Sequence, residues 1–103
     1  MPVTIETSER GVVTALLEGE IDHHTARAMR EAVDGAVNRL QPEVLRLDFS
    51  RVGFMDSSGV GLIMGRCRLM SELGGRLEVV NVPERMGKMM RMAGLGRLGI
   101  KGI

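Results

Sequence analysis

Two segments with helical spacing flank one with strand spacing, and this order limits the possible folds more than any other feature. Thr25 to Leu40 places Ala26, Met29, Val33, Ala36, Val37 and Leu40 three or four residues apart, which predicts an amphipathic helix. Pro42 keeps that helix from running on. Val44 to Phe49 then alternates, with Leu45, Leu47 and Phe49 on one side and Arg46 and Asp48 on the other, as in a strand with one dry face. Ser58 to Leu73 returns to helical spacing through Leu62, Ile63, Cys67, Met70 and Leu73, and Gly74-Gly75 ends it.

The flanking segments extend the alternation. Val3 to Thr7 and Gly11 to Glu18 read as two strands joined in a hairpin by Glu9-Arg10-Gly11. Arg76 to Val80 reads as another strand, Pro83 opens a short helix ending near Gly94, and Leu98 to Ile103 is a candidate last strand. Strands that alternate with helices predict crossover connections and an α/β class. A sheet covered on both faces needs nearly continuous apolar strands. Here Arg46, Asp48 and Glu78 interrupt them, so the expected architecture is a mixed sheet of four or five strands with helices mainly on one face.

The 103 residues suffice for one domain, taken as 1–103. With two Phe and neither Trp nor Tyr, the nine Met and the aliphatic residues must fill the core. A net charge of +1, with the cations scattered, argues against a nucleic-acid surface. One cysteine excludes an internal disulfide and a multi-cysteine metal site. No apolar run approaches the roughly 20 residues of a membrane span. The first residues lack the charged and apolar regions of a secretion signal, so the expected location is the cytoplasm, with no membrane partner.

The least generic stretch runs from Phe54 to Arg66, FMDSSGVGLIMGR, where a strand gives way to a helix. Asp56, Ser57 and Ser58 are all helix-capping types. Gly59 and Gly61 fall in the first helical turn, where glycine costs about 1 kcal/mol against alanine. A bland reading is a capped helix packed closely on a sheet. A dinucleotide fingerprint fails because Gly59, Gly61 and Gly65 are spaced one residue too widely. A phosphate-binding P-loop fails for want of Gly-Lys-Ser/Thr, and a hydrolase elbow for want of G-x-S-x-G. Phosphorylation is the remaining chemistry. A phosphate of roughly −2 charge at a helix N-terminus meets the positive end of the dipole and free N–H groups.

These residues resemble STAS domains, and more narrowly the SpoIIAA-like anti-sigma factor antagonists of the sporulation type. Gly19 to Ala26, with its Asp22-His23-His24 triplet, resembles the family's segment between second strand and first helix. Phe54 to Arg66 resembles the phosphorylation segment, with Ser57 on the phosphorylated position, and Ala93-Gly94-Leu95 resembles the end of the last helix. The resemblance implies partner switching in the control of transcription. The unphosphorylated antagonist binds an anti-sigma factor that is also a serine kinase, holding ATP or ADP, and so frees the sigma factor. Phosphorylation of Ser57 by that kinase ends the binding, and a PP2C-type phosphatase reverses it. No catalysis, cofactor or direct nucleic-acid contact is implied. The docking face would comprise Asp22, His23, Ser58, Gly59 and Gly61. Asp22 would lie close to Ser57 and help present it, or else the first helix is simply capped by Asp22 or Thr25. The alternative function is a small-ligand or nucleotide-binding STAS module whose open helix N-terminus holds an anion.

Other residues have plainer readings. His23 and His24 are adjacent and lack further ligands, so no metal site is expected. Cys67 and the Met86, Met89, Met90 and Met92 stripe read as core, with an exposed Met patch toward a partner as the alternative for the stripe. Ser58 reads as the helix cap, with a second phosphoacceptor as the alternative.

Overall fold

The β-α-β order expected from the hydrophobic periods is present in the computed structural model, which describes residues 2–103. Its elements are β1 (Val3–Glu9), β2 (Val12–Ile21), α1 (Ala26–Leu40), β3 (Val44–Met55), α2 (Ser57–Glu72), β4 (Arg76–Val80), α3 (Glu84–Met92) and a 3-10 turn, Leu95–Leu98. The strands form one four-stranded sheet in the order β1-β2-β3-β4. The β1–β2 pair is the antiparallel hairpin, and β2–β3 and β3–β4 are parallel, joined through α1 and α2.

Alternation decides which face is dry. Val13, Ala15 and Leu17 of β2, Leu45, Leu47 and Phe49 of β3, and Leu77 and Val79 of β4 are buried. They share one core with Met29, Val33 and Val37 of α1 and Leu62, Ile63 and Met70 of α2. Met86 and Met90 of α3 join that core, as their spacing predicted, whereas Met92 is 79% exposed. The intervening positions carry polar groups on the other face. There Arg46 bonds Glu78 on β4 and Glu9 on β1 (2.7 Å), and Asn81 donates to Asp48 at 3.2 Å.

Two differences from the sequence-based expectation have local causes. First, β3 does not end at Phe49 but continues to Met55. Its register with β2 slips twice: Leu16 pairs with Asp48 but Glu18 with Arg51, and Gly19 with Val52 but Glu20 with Phe54. Each slip adds one residue to β3, as in a β-bulge, and changes which side chain faces inward. The buried residues after Phe49 are therefore Val52 and Met55, at a spacing of three that no strand template recognises. Second, Leu98 to Ile103 is not a strand. Leu98 closes the 3-10 turn, and only Lys101 bridges to β4, at Glu78. Gly99 and Gly102 have φ of 71° and 99°, left-handed values that an extended strand cannot contain.

Phe49 is fully buried and is the one aromatic side chain in this core. Phe49→Ala is expected to cost about 3–5 kcal/mol, read as a lower urea midpoint.

Candidate functional site at the carboxyl ends of β2 and β3

The parallel pairing of β2 with β3 carries both chains to the same edge of the sheet. Ile21 pairs with Met55 as the last register position, and the Asp56 N–H donates to the Ile21 carbonyl at 3.0 Å. The segments that follow, Asp22-His23-His24-Thr25 and Asp56-Ser57-Ser58, therefore start side by side.

Each segment is held by an aspartate. Asp56 has an extended backbone (φ −104°, ψ −167°), and its carboxylate accepts the Ser58 N–H at 2.7 Å. Asp56 is thus the cap of α2, not Ser58 as its residue type suggested, because the helix starts one residue earlier, at Ser57. Ser57 is exposed in the first turn, and among the described residues its hydroxyl has no hydrogen-bond partner. Ser58 is half-buried.

Asp22 holds the turn ahead of α1, whose N-cap is Thr25. Its Oδ1 accepts the N–H groups of His24 (2.9 Å) and Thr25 (3.0 Å), and the Thr25 hydroxyl reaches back to the Glu20 carbonyl at 2.7 Å. The His24 N–H first, and the Thr25 N–H next, hold the Asp22 carboxyl below its ordinary range. These bonds lie in the turn ahead of α1 and do not cap the helix. His23 and His24 are exposed, with ring centroids 4.0 Å apart. Among the described residues no group of three or more His, Cys, Asp or Glu could hold a metal ion.

The two glycines of the first α2 turn have different roles. A Cβ on Gly59 would overlap Met55 and lie 3.3 Å from Ile21, so the glycine lets α2 sit directly on the ends of β2 and β3. It is buried. Gly61 is exposed, with nothing within 4 Å of its Cβ position. Ser57, Gly61, Met64 and Arg68 form the outer stripe of α2, and all are exposed. Met64 is 46% exposed and Phe54, just ahead of the helix, 50%. Gly61 and Met64 also line a groove of about 640 Å³ running past the half-buried Cys67 to Leu98. Exposed apolar side chains beside a bare serine are chemistry for a protein surface.

The residue reading missed Arg66. It is buried on the inner side of α2, where its Nε lies 2.8 Å from Asp34 Oδ1 on α1. The available signal was its position, three and four residues after Ile63 and Leu62 on the apolar face.

Comparison with known proteins agrees with this geometry. The family described as "Mlab, STAS domain" matches residues 5–100. The chain is 39% identical to an anti-sigma F factor antagonist of Paenibacillus polymyxa, over 86% of this chain and 76% of that protein. It superimposes on unphosphorylated SpoIIAA with a TM-score of 0.78 at 32% identity, covering 98% of this chain and 88% of that one. For the phosphorylated form of the Bacillus SpoIIAA the values are 0.74 and 33%, covering 98% and 91%. The chain belongs to the STAS-domain family of anti-sigma factor antagonists. Among the described residues no helix is long and apolar enough to cross a membrane.

Two outcomes are expected from this site. Gly59→Ala should lose about 1–2 kcal/mol, the strain of overpacking against Met55 exceeding the gain in helix propensity, whereas Gly61→Ala should gain up to about 1 kcal/mol in the same urea titration. The lowered Asp22 carboxyl contributes stability that is complete above its unfolded value of about 4 and is lost as pH falls through the lower folded value. The stability gap between wild type and Asp22→Asn, from denaturation at a series of pH values, should therefore be widest near neutrality and close in acid.

Proposed function

We propose that this protein is switched between partners by a phosphate on Ser57. Unphosphorylated, it binds an anti-sigma factor that is also a serine kinase, and the sigma factor is released. The kinase transfers the γ-phosphoryl group of its own ATP to the Ser57 hydroxyl, and the complex separates. A PP2C-type phosphatase restores the binding form. The protein is the substrate of these steps and supplies no catalytic group, and they take place in the cytoplasm.

The observation that carries this reading is the state of Ser57. It is exposed at the start of α2, and Asp56 already caps the helix. Its hydroxyl is therefore not needed by the fold. A phosphate there gains from the positive end of the α2 dipole, so the domain tolerates it. The surface does not stay the same. A charge of roughly −2 beside the Asp56 carboxylate makes the face around Ser57 strongly anionic. Burying that charge without a partner cation costs several kcal/mol, enough to end an association.

The docking face in this reading comprises Ser57, Ser58 and Gly61 on α2, flanked by Phe54 and Met64, with His23 beside them across the groove between the helices. Asp22 supports it by fixing the loop before α1. Gly59 supports it from beneath by letting α2 approach the sheet.

Intact mass after incubation with an anti-sigma kinase and ATP tests the reading. One added phosphate is expected on wild type and none on Ser57→Ala, and the alanine variant should remain in complex with the kinase. Equal phosphate on both proteins moves the acceptor to Ser58. No phosphate on either, with a kinase active on a control substrate, rejects the switch and leaves the ligand-binding module as the function.

A further inference from the structure

The groove between α1 and α2, adjoining the Ser57 face, has a charge imbalance that the phosphoserine switch does not use. It measures about 470 Å³ and is lined by His23, Arg27 and Arg30 from the α1 side and by Ser58, Gly61, Gly65 and Arg66 on α2, with no carboxylate among its lining residues. Arg66 is only 7% exposed. Its Nε lies 2.8 Å from Asp34 Oδ1 but the N–H is not aligned with the oxygen, so the contact is coulombic and neither atom is hydrogen-bonded. The remaining bond of the guanidinium is a long one, 3.5 Å from Nη1 to the Leu62 carbonyl.

A buried guanidinium with five donors and so few acceptors is under-satisfied. Its charge is under-compensated as well. Arg30, one helical turn before Asp34, adds a second positive charge close enough to act on Arg66. Burial lowers the Arg66 pKa, Asp34 raises it and Arg30 lowers it again, and the net shift is downward. Arg27 is exposed and already paired with Glu31 at 3.0 Å.

We propose that this groove receives an acidic segment of the anti-sigma factor, whose carboxylate lies between Arg30 and the guanidinium of Arg66. The inference rests on the partner reading above and extends its docking face from the tip of α2 along the α1–α2 seam. Charge complementarity selects the sign of the occupant, and two features select a polypeptide over a nucleotide. The Cβ positions of Gly61 and Gly65 have nothing within 4 Å, which leaves room for a main chain to lie close against α2. No Phe lines the groove and the chain has neither Trp nor Tyr, so a base would find only the single exposed His23 ring to stack on. Arginine is suited to the role because its planar fork accepts a carboxylate through two parallel bonds.

Arg30 is exposed, so Arg30→Glu tests the groove without threatening the core. Binding of the purified anti-sigma factor, by calorimetry at low salt, should weaken at least about tenfold, or about 1.4 kcal/mol, and lose much of its salt dependence. Equal affinity of Arg30→Glu and wild type overturns the proposal. A second measurement does not need the partner. In the full-length ¹⁵N-labelled protein, hexaglutamate should shift the amides of Ser58, Gly61 and Gly65 and the Arg66 Nε–H to saturation, and Arg30→Glu should abolish the effect. Shifts elsewhere, or shifts that persist in Arg30→Glu, overturn the acidic-segment reading. So does saturation of the same signals by ATP or inorganic phosphate at lower concentration than by the peptide, which makes the groove a phosphate site. Absence of phosphate on Ser57 while the hexaglutamate shifts persist sinks the phospho-switch reading and leaves the groove standing.

Discussion

The parallel ladder between β2 and β3 is the interaction on which the rest of the structure depends. It brings Ile21 opposite Met55 and lets the Ile21 carbonyl take the Asp56 N–H. That bond puts two loops, more than thirty residues apart in sequence, on one edge of the sheet. In sheets of this kind the carboxyl ends of parallel strands are where binding surfaces collect, because connections leave the sheet there and side chains are free of packing duty. The two slips in the β3 register belong to the same device. They lengthen β3 until its end meets the end of β2, and they turn Met55 inward so that α2 starts on a packed platform.

Capping then separates structural work from regulatory work. Asp56 holds the start of α2 and Asp22 the turn ahead of α1, each with a carboxylate, which leaves the neighbouring hydroxyls with different duties. Thr25 is tied back to Glu20 and is part of the scaffold. Ser57 is tied to nothing among the described residues. A modification that adds charge at a group with no structural role changes the surface and spares the fold. The glycines differ in the same way, with Gly59 under the helix for packing and Gly61 exposed on its outer side.

The seam between α1 and α2 follows from this arrangement. Both helices lie on the same face of the sheet, so each must place something at the line where they meet. Arg66 and Asp34 meet there, and the burial of the arginine makes its few bonds matter. A buried ion pair of this kind is weak evidence of stability, because desolvation offsets its coulombic gain. A buried cation that lacks acceptors is a recognition element whenever an anion can reach it, and the seam opens next to the serine.

The amino-acid sequence alone determined the element types, the crossover order and the dry face of the sheet, since these depend on hydrophobic period within single segments. The same local character made the stretch around Ser57 legible, because two glycines in a first helical turn are costly unless something requires them. Tertiary structure decided what periodicity cannot carry. The extension of β3 to Met55 depends on slips against β2, and the loss of the last strand depends on left-handed glycines in the chain's final turn. Which of Asp56, Ser57 and Ser58 caps α2 depended on where the β3 ladder ended. The pairing of Arg66 with Asp34 was invisible because it joins two helices whose angular facing is set by the sheet beneath them. Residues whose meaning lies within one element could be read from the chain, and residues whose meaning lies between elements could not.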